Sequence, residues 1–122
     1  MIRSVFSLII VSFSISAYAE PSFNCAKAST NIEKMICTDK YLGDLDGLLA
    51  SDYKALFSDQ YGFDAAGAKS TKAEQKQWMA KRNSCTNRDC VVDAYKSRID
   101  EICEIPVISG AHQCQSWEGY TP

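Results

Sequence analysis

Histidine occurs once in this chain, at His112, with no second histidine and no patterned carboxylate near it. A lone imidazole in such a setting reads as a surface residue, and general-base or metal chemistry built on histidine is excluded. No cluster of lysine and arginine exists, which excludes the electrostatic footprint of nucleic-acid binding and of an anionic membrane surface. None of the six cysteines forms a CxxC pair or a finger spacing, so zinc and thioredoxin-like redox chemistry are excluded as well. A glycine-rich phosphate loop and a serine or threonine nucleophile motif are also missing. The sequence therefore offers no catalytic set, no metal site and no cofactor, and predicts a protein that is not an enzyme.

A long hydrophobic run is lacking too. The apolar stretch 5–15 is shorter than the roughly 20 residues a membrane-spanning helix needs. With Arg3 before it and Ala17-Tyr18-Ala19 after it, residues 1–19 read as a signal peptide cut before Glu20. Cys25 lies well past that cut and cannot be a lipid-modified first residue, so the mature chain is expected to be periplasmic or secreted, with no membrane anchor. Loss of Arg3 leaves 12 basic side chains against 15 acidic ones. About a hundred residues make one domain, and a core that small gains from covalent staples, which six cysteines in an exported chain can supply.

What is present is helical periodicity. Thr30 and Glu33 have capping-box spacing and open a short helix carrying Ile32, Met35 and Ile36. Asp39 caps a helix over 40–58 with Leu42, Leu45, Leu49, Tyr53 and Leu56 on one stripe. Gly62 and Gly67 break the pattern, and 59–70 reads as a loop. Thr71 and Glu74 repeat the capping-box spacing, and the helix they open carries Gln75, Trp78, Met79, Arg82 and Cys85 on one face. Asn87-Arg88-Asp89 is a capping turn before a helix over 90–103, lined by Val91, Ala94, Tyr95, Arg98 and Ile102. Pro106 ends it. The expected fold is all-α: a small disulfide-stapled antiparallel bundle of three long helices plus one short N-terminal helix. Its helical domain covers 20–103, and 104–122 is an irregular tail tied by a disulfide.

That topology limits the cysteine pairing. Cys90 and Cys103 lie about 20 Å apart along one helix and cannot join. The geometry favours Cys25–Cys37, Cys85–Cys90 and Cys103–Cys114 among 15 connectivities. Four polar residues face inward, namely Asp46, Gln75, Arg82 and Arg98. Asp46 and Arg82 are placed near one pole, where a bidentate carboxylate–guanidinium pair is natural. Gln75 and Arg98 belong near the other, with Asp52, Tyr53 and the tail as partners. Such residues make either a structural polar network that sets helix register or a polar cleft that takes a ligand. Trp78 reads as core and Asp44 as solvated on the outer face. Tyr61 and Phe63 in the loop, with Trp117 and Tyr120 in the tail, either pack down on the bundle or anchor a partner.

The spacing Cys25, Glu33, Cys37, then Leu42-x-x-Leu45-Asp46, Tyr53, Gln75-x-x-Trp78-x-x-x-Arg82-x-x-Cys85, Cys90 and Arg98 resembles the LprI-type lysozyme inhibitor domain. The resemblance covers about 23–103. It implies a small exported helical domain whose partner is a protein, a lysozyme or other cell-wall hydrolase, held by steric occlusion so that peptidoglycan hydrolysis is blocked. A periplasmic protein-interaction or immunity-type module is the alternative. The cysteine-bearing tail from Glu104 onward lies outside the matched region.

Overall fold

A threonine and a glutamate three residues apart start the first helix. The Thr30 hydroxyl accepts from the Glu33 amide at 3.0 Å, and the Glu33 carboxylate accepts from the amides of Ser29 (2.7 Å) and Thr30 (3.1 Å). Helix α1, Asn31–Thr38, follows from that box. Asp39 closes α1 through its own N–H and opens α2, Lys40–Phe63, by accepting from the Leu42 amide at 3.1 Å. Asn87 caps α4, Arg88–Glu104, through the Cys90 amide at 2.9 Å. These are local events, each satisfying N–H groups that the first helical turn leaves without partners.

The computed structural model describes residues 21–107 and 114–122. The expected signal segment with its expected cleavage site, and His112, lie outside them. Every regular element described is helical: α1, α2, α3 (Ala65–Asn83), α4, and two single 3₁₀ turns at Cys25–Lys27 and Trp117–Gly119. The fold is a small helical bundle with disulfides Cys25–Cys37, Cys85–Cys90 and Cys103–Cys114. By chain entropy the first and third contribute about 3 kcal/mol each, and the second, closing a much shorter loop, about 2 kcal/mol. Helix α2 is the centre, packing on α1, α3 and α4. Leu42, Leu45 and Leu56 are wholly buried along it, in one core with Val91, Tyr95 and Ile99 of α4. No helix among the described residues is long and apolar enough to cross a membrane.

The expected loop over 59–70 is instead almost entirely helix. Asp64 alone breaks it, ending α2 and capping α3 by accepting from the Gly67 amide at 3.0 Å. A Cβ at Gly67 would collide with that carboxylate, so glycine leaves room for the cap. Across the resulting hairpin Asp59, Gln60, Ala68 and Thr71 are buried. The Thr71 hydroxyl therefore does not cap a helix; it donates to the Gln60 side-chain oxygen at 2.6 Å, two turns inside the hairpin. Packing between the two helices outweighs the glycine penalty of about 1 kcal/mol per residue on which the loop expectation rested.

Candidate functional site

Helix α2 sends Asp46 inward, α3 sends Arg82, and α4 sends Tyr95 between them. All three are buried. The Arg82 guanidinium donates to the Tyr95 hydroxyl at 3.0 Å, and that hydroxyl donates to Asp46 Oδ1 at 2.7 Å. Arg82 Nη1 and Asp46 Oδ1 themselves stand 3.8 Å apart. The expected bidentate pair is thus a relay through a phenol, because the third helix inserts its side chain where a two-helix argument left space. Burial and the neighbouring carboxylate push the Tyr95 hydroxyl well above its ordinary titration range, so it stays protonated and able to donate. The other guanidinium N–H groups go to Asn83 Oδ1 at 3.1 and 2.9 Å. Trp78 packs edge-on against Tyr95 with 5.1 Å between ring centres, and its indole N–H donates to the Ala94 carbonyl at 3.1 Å. The Arg82 guanidinium lies over both rings.

This cluster floors a cleft of about 180 Å³ whose walls include Glu33, Leu49, Gln75, Trp78 and Met79. The chain just before the first disulfide crosses it. Ser22 donates its backbone N–H to Asp46 Oδ2 at 2.6 Å, and Phe23 is half-buried against the core. Phe23 also lines a cavity of about 690 Å³, with Pro21, Cys25, Ile36, Cys37, Asp39 and Lys40 among its walls. There the Asp39 carboxylate receives Arg88 at 2.6 Å, and that bond holds its pKa below the ordinary carboxylate value.

Gln75 and Arg98 meet: the guanidinium Nε donates to Gln75 Oε1 at 3.0 Å, while Nη1 reaches Glu101 at 3.1 Å. Asp52 goes to the tail, accepting from the Gln115 amide at 3.2 Å. It is also the one carboxylate grouped with Cys103 and Cys114, but those sulfurs are joined to each other and offer no thiolate to a metal. Asp44 is buried rather than solvated, and Lys40 closes over it at 2.6 Å.

The four aromatic candidates divide. Trp117 is held on α4, its indole N–H donating to Asp100 at 2.8 Å and its ring lying 4.3 Å beneath Lys96 Nζ. Tyr120 is half-buried against the core with it. Tyr61 and Phe63 do the opposite, being 71% and 65% exposed on the last turn of α2 at the hairpin corner. Behind them Tyr53, Phe57 and Tyr61 stack in sequence, with ring centres 5.9 and 6.0 Å apart. Phe57 and the Tyr95 hydroxyl were not singled out by sequence reasoning. The i, i+4, i+8 spacing of Tyr53, Phe57 and Tyr61 is the signal for the first, and only tertiary packing indicates the second.

Comparison with known proteins places this geometry in context. No family model matches the chain, and no solved structure does. Lipoprotein LprI of Mycobacterium bovis is 26% identical over 91 residues, a match covering 71% of this chain and 43% of that protein. Lipoprotein LprI of Mycobacterium tuberculosis gives the same figures. The chain spans less than half the length of the curated relatives it matches, and over most of its own length it is similar to LprI.

Proposed function

We propose that this chain is an exported inhibitor-like protein that occludes a lysozyme or another peptidoglycan hydrolase. The observation that carries the proposal is the corner between α2 and α3, where Tyr61 and Phe63 are exposed and Tyr61 ends a stacked row of rings. A helical corner bearing exposed aromatic anchors suits insertion into an enzyme cleft, because binding energy concentrates in a few such side chains. The similarity to LprI supports the choice of partner. Its mild acidity supports faster association with a basic lysozyme, a gain that salt would screen. Trp117 and Tyr120 serve the fold in this scheme, since both pack on the bundle.

The test is a lysis assay with a panel of lysozymes. Tyr61→Ala with Phe63→Ala should weaken inhibition at least tenfold, about 1.4 kcal/mol, with the melting temperature nearly unchanged. Normal inhibition by the double variant would move the contact surface to the helix faces. A wild-type protein that inhibits no lysozyme would leave an envelope interaction module with another protein partner.

A further inference from the structure

We propose that the groove beneath residues 21–24 is a peptide-binding site, and that this arm occupies it in cis as a displaceable cover. The site is independent of the hairpin tip and of any lysozyme. Two cavities, about 690 and 180 Å³, adjoin along this arm, and both are lined by Phe23. Residues 21–24 form part of the walls of both, so lifting the arm would open a single groove from Lys40 past Asp46 to Gln75. A combined space of that order suits a short extended segment with one large side chain.

The arm itself shows which chemistry the groove takes. Its main-chain N–H meets a buried carboxylate, Asp46 Oδ2, at 2.6 Å, and its next side chain is an aromatic ring that lines both cavities. A charge-assisted amide–carboxylate bond is strong for a single contact, and here a backbone N–H makes it. Downstream the arm is pinned by Cys25–Cys37. Among the described residues, the stretch from Pro21 to Asn24 is tied to α2 by the Ser22–Asp46 hydrogen bond. The hinge is covalent and the seat combines a polar contact with a ring, an arrangement that another segment can replace. The occupant in trans is an extended peptide of a partner protein, with a free backbone N–H followed by an aromatic residue. A tether this short holds its own arm at millimolar effective concentration, so an outside peptide must compete with it.

The experiment uses the whole mature chain, isotope-labelled, and the peptide acetyl-Pro-Ser-Phe-Asn-amide. Ser22→Pro removes the donated N–H, and Phe23→Ala removes the seated ring while keeping that N–H. In both variants the Trp78 indole and Gln75 side-chain signals should shift and saturate with added peptide. Apparent affinity should be at least tenfold tighter than for wild type, and the same peptide with alanine for phenylalanine should be silent. In wild type the Ser22 amide should exchange with solvent at least tenfold more slowly than an unstructured amide. Equal responses from all three proteins, no response from either variant, or unprotected Ser22 would overturn the proposal. So would a response that appears only with dimerisation, which would make a second copy the occupant.

Discussion

Replacing Tyr95 with Phe removes one oxygen atom from the centre of the bundle and leaves the ring where it is. The ring is fully buried, so no cavity of consequence forms. What is lost is a hydroxyl that accepts from a guanidinium at 3.0 Å and donates to a carboxylate at 2.7 Å. Hydrogen bonds to charged groups contribute about 1.5–3 kcal/mol each, which sets a ceiling of about 3–6 kcal/mol. Two features lower it. Asp46 keeps the Ser22 amide and Arg82 keeps Asn83, and the two charges, already 3.8 Å apart, can close on each other. The expected loss is therefore about 2–3 kcal/mol, larger than the ~1 kcal/mol of an ordinary neutral hydrogen bond. In a domain of this size that is a fall in melting temperature of about 10–20 °C. Urea unfolding with the disulfides intact should show a lower midpoint at unchanged slope. In an Asp46→Asn background the same substitution should cost less, since the relay has already lost its anion. A Tyr95→Phe protein within about 0.5 kcal/mol of wild type, the range of an ordinary surface change, would refute the relay as a stabilising element.

Two further outcomes concern acid stability and the tail. The carboxyls of Glu33 and Asp39 titrate below their ordinary values of 4.5 and 3.8, the first through the Ser29 and Thr30 amides, the second through Arg88. A folded pKa below the unfolded one gives stability that is complete above the unfolded value and lost as pH falls through the folded one. The urea midpoint should therefore be flat from about pH 8 to 5 and decline below about pH 4, with Glu33→Gln and Asp39→Asn each flattening the decline. Trp117→Ala should cost about 1–2 kcal/mol in urea, since it removes a half-buried ring, its indole bond to Asp100 and its contact with Lys96, against about 3–5 kcal/mol for Trp78→Ala in the core. A Trp117→Ala protein as stable as wild type would mean that the docking of Trp117 on α4 does not contribute to the fold.

The sequence by itself determined whatever depends on neighbours a few residues apart. Thr30 with Glu33, Asp39 and Asn87 start helices because each side chain reaches an amide two or three residues on, a distance set by the backbone alone. Leucine spacing marked the buried face of α2 for the same reason, and helical rise kept Cys90 from Cys103. Tertiary structure decided the rest. Thr71 and Glu74 have the same spacing as Thr30 and Glu33, yet Thr71 sits inside a helix, where Gln60 on the facing helix α2 takes its hydroxyl. Glycines at 62 and 67 signalled a loop, but the packing of α2 on α3 carries both helices to a single residue, Asp64. Periodicity pointed Asp46 and Arg82 at one another and could not show the phenol between them, since that depends on where a third helix crosses. The same holds for the arm over Asp46 and for Trp117 on Asp100: contacts 24 and 17 residues apart are chosen by the closed fold, and no local pattern encodes them.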